Sequence, residues 1–134
     1  MGMDMRKSKP GWDDRAGPYF RQWEFRCPCC GDGNITQSAE VAINELRRRL
    51  GKPFTPTSAY RCEKHNAAVG GEPNSQHIFG HAVDIPCASQ EELLRVYELA
   101  LEIPLFKHGG IGFYPVKRFI HVDTREGGPA RWVK

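Results

Sequence analysis

The feature that most limits the fold is a pair of β-rich runs near the end of the chain, GIGFYP and KRFIHVDT, joined by a tight connection around residues 115–117. β-Branched and aromatic residues on both sides of so short a connection predict a hairpin, whose strands pair antiparallel. A third short strand is predicted in HAVDIP, earlier in the chain. A small antiparallel sheet is therefore expected at the centre of the fold.

Two amphipathic helices are expected beside these strands. Apolar residues recur every three or four positions from Ser38 to Leu50, and Gly51 ends the pattern. A second helix is expected from about Glu91 to Glu102, with Ser89 as its N-cap and Pro104 just past its end. Because helices and strands do not alternate regularly, the expected fold class is α+β: a single domain with a small antiparallel sheet and flanking helices.

The length of 134 residues suits one domain. Residues 1–20 are rich in glycine, proline and charge, and are expected to form a loosely ordered arm before a domain at residues 21–134. The net charge is only +3, with basic residues scattered among acidic ones, so no nucleic-acid partner is expected. Apolar runs fall far short of the roughly 18 residues of a membrane span, so no membrane insertion is expected either. A monomer is expected.

The N-terminal sequence MGMDMRKSKPGWDDRAGPYF has no apolar segment between its charges, unlike a secretory signal. The protein is therefore expected to be made in the cytoplasm. Any action beyond the cytoplasmic membrane would need a partner, such as a holin, that releases it.

Three of the five cysteines lie together in CPCCG, at Cys27, Cys29 and Cys30, whereas Cys62 and Cys87 stand alone. An odd number of cysteines without a secretory signal argues against a full disulfide framework. A zinc ribbon needs a second closely spaced pair, which the sequence lacks. Three alternatives stay open: reduced and partly buried thiols, which we favour, one disulfide involving Cys62, or a structural metal.

The segment SQHIFGHAVDI places two histidines and an aspartate within eight residues, and these side chains bind transition metals. His77 and His81 are four residues apart, as in the H-E-x-x-H helix of zinc proteases, but isoleucine replaces the glutamate and a glycine disfavours the helix. If residues 81–86 form a strand, His81 and Asp84 point to opposite faces. His77, in the preceding loop, is free to turn toward Asp84.

A third ligand is needed, since catalytic zinc sites generally combine three protein ligands with one open position. In the last predicted strand Phe119, His121 and Asp123 share one face, and apolar side chains occupy the other. A strand with a polar face and a core face is expected to line a site. His77, Asp84 and His121 therefore form a candidate His-Asp-His set for one metal ion.

Three ordered motifs resemble the M15 family of zinc peptidases, the D-alanyl-D-alanine carboxypeptidase-like enzymes that include phage endolysins. SQHIFGHAVD meets the family pattern S-x-H-x-x-G-x-A-x-D in full, SAYRCEKHNAAVGG is similar to S-x-Y-R…H-N…V-G-G, and FIHVDTREGGPARW is similar to the H-x-D…R-W ending of compact members. The resemblance covers about residues 20–133. It implies a Hedgehog/DD-peptidase-like α+β fold and one zinc ion (Zn2+) per chain, held by His77, Asp84 and His121.

The chain departs from the family at the position of the catalytic carboxylate. Many members carry it three residues before the last histidine ligand, where this chain has Arg118, which cannot act as a base. Asp123, on the strand face of His121, is the carboxylate expected to act as general base. The alternative is that Asp123 only orients a metal ligand.

The resemblance also implies roles in substrate binding. Arg61 matches the family's substrate-binding arginine, and its guanidinium suits a substrate carboxylate or a developing oxyanion, as a catalytic and binding residue. Ser75 is expected to steady His77 or the substrate, or else only to shape the turn. His108 is a candidate donor to the tetrahedral intermediate.

The expected function is that of a zinc metallopeptidase that hydrolyses peptidoglycan stem peptides or cross-links, as a carboxypeptidase or an endopeptidase such as a phage endolysin. The alternative is a non-catalytic zinc-binding cell-wall module of the same fold. Arg118, at the usual position of the base, keeps that alternative open.

Overall fold

The computed structural model describes residues 13–134, which form an α+β fold as expected. In chain order, the strands and α-helices of these residues are β1 (Arg15–Ala16), β2 (Phe20–Arg21), α1 (Gln37–Leu50), α2 (Glu63–Ala68), β3 (Ala82–Pro86), α3 (Gln90–Glu102), α4 (Pro104–Lys107), β4 (Gly110–Tyr114), β5 (Phe119–Asp123) and β6 (Ala130–Val133). In this described part of the chain, no helix combines the length and the apolar character that crossing a membrane requires.

The two long predicted helices are confirmed as α1 and α3, each beginning one residue earlier than predicted. Thr36 caps α1 by accepting a hydrogen bond from the Ala39 amide, and Gly51 ends it with a positive φ of 78°. Ser89 caps α3 by accepting from the Glu92 amide, as predicted. The apolar faces of both helices pack on each other and on the sheet, forming one buried core.

The central sheet has the strand order β3-β5-β4-β6. β5 pairs antiparallel with both β3 and β4, which confirms the predicted hairpin. β6, a strand that was not predicted from the sequence, pairs parallel with β4 at the edge of the otherwise antiparallel sheet. Asp123 at the end of β5 and Ala130 at the start of β6 both lie opposite Gly110. The connection therefore brings the chain back to the start of β4, and β6 has to run in the same direction as β4.

β1 and β2 form a separate two-stranded hairpin. Ala16 and Phe20 are buried in the core, and Asn44 of α1 donates to the Ala16 carbonyl at 2.9 Å. This hairpin is therefore attached to the core through Ala16 and Phe20. Residues 1–12 lie outside the described residues, and the expected arm at residues 1–20, with a domain from residue 21, stays a prediction.

Candidate metal centre

The three residues predicted to bind a metal lie together. The candidate ligand atoms of His77, Asp84 and His121 are within 4.8 Å of one another. His77 Nε2 lies 3.3 Å and His121 Nδ1 lies 3.1 Å from the same Asp84 oxygen, Oδ1. All three residues are buried. Two imidazole nitrogens and a carboxylate oxygen that converge in this way are a donor set that suits zinc.

Strand pairing and a tight turn produce this arrangement. Asp84 of β3 is directly opposite His121 of β5, so the two side chains leave the sheet on the same face. His77 lies in the turn before β3, as predicted. Gly80 closes that turn with a φ of 73°, and a side chain there would overlap the backbone of Asn34. The glycine of the S-x-H-x-x-G motif is therefore required by the turn that returns His77 to the sheet.

Hydrogen bonds orient both imidazoles. His77 Nδ1 lies 2.7 Å from the carbonyl oxygen of Ala59. Because a carbonyl only accepts, Nδ1 carries the proton and Nε2 faces Asp84. His121 Nε2 lies 2.7 Å from Asp123 Oδ2, so Nε2 donates to that carboxylate and Nδ1 faces Asp84. An outer hydrogen bond of this kind on each histidine is typical of metal ligands.

The ionisation of Asp84 and that of His121 depend on each other. Burial alone would raise the pKa of Asp84, but the hydrogen bonds with His121 and His77 outweigh burial and hold that pKa well below its usual range. Burial alone would lower the pKa of His121, but the bonds with Asp123 and Asp84 raise it above its usual value. Asp84 is therefore a carboxylate at neutral pH, and a proton on His121 competes with any metal ion for the site.

Asp123 is fully buried, and donors occupy both of its oxygens. Oδ1 accepts from the Gly110 amide and Arg125 Nε, each at 2.9 Å, and Oδ2 accepts from Arg125 Nη2 and His121 Nε2, each at 2.7 Å. Burial alone would raise the pKa of Asp123, but Arg125 and His121 hold it well below its usual range. A carboxylate so occupied is a poor acceptor for a proton from water. These contacts favour the second expectation for Asp123, that it orients His121.

The candidate ligands open into a cavity of about 560 Å³, a volume typical of sites for small ligands. One wall is aromatic, formed by Tyr114, Phe119 and Trp132. Among the described residues that line the cavity, the acidic ones are Asp84 and Glu72. The space can therefore hold a peptide-sized group, and its lining offers both an aromatic surface and an exposed carboxylate, that of Glu72.

Arg61 lies on the wall of this cavity, beside the ligands. Its Nε donates to Ser58 Oγ at 3.0 Å, its Nη1 donates to Asn66 Oδ1 at 3.2 Å, and its Nη2 lies 3.7 Å from Asp84 Oδ2. The side chain is only 16% exposed. Arg61 is thus held in place as a partly buried cation that faces the site, rather than in a surface ion pair.

The other residues expected in the site differ in position. Ser75 lines the cavity, and its Oγ accepts from the His77 amide at 3.2 Å, in line with a role in steadying His77. His108 is exposed at the end of α4 and is not among the residues that line the cavity, so its position does not support a role in stabilising a tetrahedral intermediate. Arg118 is also exposed and donates to the Ala88 carbonyl at 3.3 Å.

Three residues that support the site were not predicted. Arg125 pairs with Asp123 and lies over the Trp132 ring, with its guanidinium carbon 5.3 Å from the ring centroid. A side chain at Gly110 would overlap the Asp123 carboxylate, and one at Gly112 would overlap the Trp132 indole. Glycines at alternate positions of a β-rich run indicate that another group approaches the strand closely. The segment GGIGF has this glycine spacing, so a close approach could have been predicted from the sequence, but not the identity of the approaching group.

Two histidines and one carboxylate that face a single cavity form the kind of donor set found in mononuclear zinc peptidases. Comparison with known sequences agrees, since residues 18–123 match the family described as Peptidase M15. The chain belongs to this family.

Two curated relatives match part of the chain. It is 42% identical over 98 residues to a Haemophilus influenzae protein named "Probable peptidoglycan L,D-endopeptidase MepK", which covers 73% of this chain and 47% of that protein. It is 39% identical over 89 residues to the "Zinc D-Ala-D-Ala carboxypeptidase" of Streptomyces albus G, which covers 58% of this chain and 35% of that protein. The chain thus aligns with less than half the length of either relative.

Proposed function

We propose that this protein is a zinc-dependent peptidase that hydrolyses peptidoglycan stem peptides or their cross-links. The observation that carries the proposal is the convergence of His77, Asp84 and His121 at a cavity where a partly buried arginine, Arg61, faces the same space. Family membership supports it, as do the names of the two relatives, one a peptidoglycan endopeptidase and the other a zinc carboxypeptidase.

The two histidines and Asp84 would hold the zinc ion, since each histidine has its outer nitrogen bonded and its inner nitrogen facing the carboxylate. When bound, zinc supplies a Lewis acid that polarises a carbonyl and lowers the pKa of water from about 15.7 to about 7. Asp123 keeps His121 in the orientation that this ligation needs.

The remaining steps fall to side chains that line the cavity. Arg61 binds a substrate carboxylate or the oxyanion that develops on the scissile carbonyl, because its guanidinium is already fixed beside Asp84. Glu72 takes the proton from the attacking water and passes it to the leaving amine, since it is the other acidic residue among the described lining residues. Trp132 and Tyr114, joined by a 2.9 Å hydrogen bond, contact the peptide from the aromatic wall.

The test is mass spectrometry of fragments released from purified peptidoglycan by the zinc-loaded protein. Release is expected from the wild type, and none is expected after chelation or in the His121→Ala variant. Loss of a terminal D-amino acid would indicate a carboxypeptidase, and conversion of cross-linked dimers to monomers an endopeptidase. If zinc-loaded protein sediments with peptidoglycan but releases no fragment, the non-catalytic wall-binding module is the correct alternative.

The finer form of the proposal is a phage endolysin that a holin releases to the cell wall. Expression of the protein in a bacterial host, with and without a holin, tests it. Lysis is expected only when both are present, and lysis that follows expression of the protein alone would exclude dependence on a holin.

A further inference from the structure

Three of the five cysteines form a cluster that the peptidase chemistry does not use. The sulfur atoms of Cys27, Cys30 and Cys62 lie within 4.8 Å of one another. Cys29, from the same CPCC segment, is exposed and lies outside that group. Cys87 is buried elsewhere, in the hydrophobic core. The fold has therefore gathered the CPCC segment and a cysteine 32 residues beyond Cys30 into one place.

The spacing of the sulfurs fits a shared metal ion. Cys27 Sγ lies 3.7 Å from Cys62 Sγ. Two thiolates bound to one zinc ion at about 2.3 Å in tetrahedral geometry stand about 3.8 Å apart. A disulfide would require about 2.0 Å. All five cysteines are free thiols in the structure.

Backbone amides point at three of the sulfurs. Asp32 N donates to Cys30 Sγ at 3.4 Å, Cys62 N donates to Cys27 Sγ at 3.5 Å, and His65 N donates to Cys62 Sγ at 3.4 Å. Amide donors stabilise negative charge on sulfur, and the thiolate is the form that binds metals. Such bonds around a metal also fix the orientation of the ligands.

The backbone turn around Cys27 and Cys30 also suits a shared metal ion. Gly31 adopts a φ of 80°, and its amide donates to the Cys27 carbonyl at 2.8 Å, which closes a turn around the C-x2-C pair. C-x2-C is a common ligand spacing in structural zinc sites. This tight turn allows Cys27 and Cys30 to present their sulfurs on one side, toward Cys62.

We propose that Cys27, Cys30 and Cys62 bind a second zinc ion, a structural one, separate from the His-Asp-His centre, with Cys29 turning inward as the fourth ligand. The sequence has no second C-x2-C pair, but the fold brings Cys62, from the segment before α2, to the C-x2-C turn, and the exposed Cys29 belongs to that same turn. The protein then holds two zinc ions, in place of the single ion that the sequence suggested.

The cysteine cluster lies next to the segment that carries Arg61, so a metal ion bound there would affect the position of that segment. Cys62 directly follows Arg61, the cation on the cavity wall. The Tyr60 amide bonds the Phe25 carbonyl at 3.2 Å, and the Arg61 amide bonds the His77 carbonyl at 3.1 Å. A metal that joins Cys62 to the CPCC turn therefore anchors the segment that carries Arg61 to the site.

The test is the zinc content of the purified, reduced full chain, together with X-ray absorption at the zinc edge. Wild type is expected to bind two zinc ions. The His77→Ala/His121→Ala double variant should keep one, with only sulfur neighbours at about 2.3 Å. Cys62→Ser should keep one with only nitrogen and oxygen neighbours. The matched control, Cys87→Ser, should keep two.

A wild-type spectrum without sulfur neighbours would overturn the proposal. A disulfide between Cys27 and Cys62 in protein purified with zinc present would also overturn it. The intact mass would then be lower by two hydrogen atoms. If Cys62→Ser fails to fold, a second experiment loads the wild type and the His77→Ala/His121→Ala variant with cobalt in place of zinc. Thiolate-to-cobalt charge-transfer absorption is then expected in both, and its absence refutes the site. These measurements read metal ligation, so they are independent of whether the protein hydrolyses peptidoglycan.

Discussion

Asp123 accepts a hydrogen bond from His121 Nε2 at 2.7 Å, and the same carboxylate accepts hydrogen bonds from two nitrogens of Arg125. Arg125 thus holds the Asp123 carboxylate in place, and the carboxylate in turn holds the imidazole of His121. His121 can turn only one nitrogen, Nδ1, toward Asp84. This relationship separates the role of a positioning residue from that of a general base, and the two roles have different experimental consequences.

The Asp123→Asn variant should bind zinc more weakly, by about 10- to 100-fold, because His121 loses the partner that orients it. Saturating zinc should then restore most of the hydrolysis. Competition with a chelator and turnover across a zinc titration measure both effects. A loss of about 10²- to 10⁴-fold that persists at full zinc occupancy would instead identify Asp123 as the base.

Zinc binding should weaken as the pH falls, and the decline should begin above the ordinary histidine range of about 6.5. The reason is that the pKa of His121 is raised, so its protonated form, which cannot bind zinc, persists to higher pH. In Asp123→Asn the decline should move to lower pH, because one of the groups that raises this pKa is lost. Zinc affinity measured at a series of pH values tests this, with the exposed His108→Ala as the control that leaves the curve unchanged.

The Arg61→Lys variant should lose about 10-fold or more in kcat/KM, since an ammonium cannot reproduce the two-pronged contact of a guanidinium with a carboxylate or oxyanion. Zinc content and thermal stability should stay close to those of the wild type. Arg48→Lys, an exposed position on α1, is the matched control. Normal turnover in Arg61→Lys would show that charge alone is required at this wall.

The Glu72→Gln variant should lose about 10²- to 10⁴-fold in kcat while retaining zinc, because it removes the proposed proton acceptor and preserves the shape of the rim. Single-turnover kinetics at saturating zinc measure the effect. Glu63→Gln, at the exposed start of α2, is the control. Unchanged turnover in Glu72→Gln would remove that residue from the mechanism.

The Gly110→Ala variant should lower the free energy of unfolding by about 1–3 kcal/mol, because the new methyl group would overlap the Asp123 carboxylate. Zinc affinity should fall with it, since the displaced carboxylate holds His121. Denaturant unfolding of the metal-free and zinc-loaded forms gives both quantities. An unchanged unfolding midpoint would mean that the strand moves aside at little cost.

The parts of this molecule that could be predicted are those encoded by local spacing. The two long helices follow from apolar periodicity, and the ligand face of β5 follows from strand alternation around His121. The parallel pairing of β6 was missed because it depends on where the connection after Asp123 leads, which periodicity does not encode. The same limit applies to the cysteines, since nothing near Cys62 in the sequence indicates that it meets Cys27.

Asp84 and His121 face each other across paired strands although 37 residues separate them in the chain. During synthesis, therefore, the ribosome completes His77 and Asp84 well before it adds His121. In that interval β3 has no β5 to pair with, and contacts distant in sequence form only after the cost in loop entropy is met. The nascent chain thus carries two of the three candidate ligands without a complete candidate metal centre. Assembly of that candidate centre requires docking of the hairpin formed by β4 and β5.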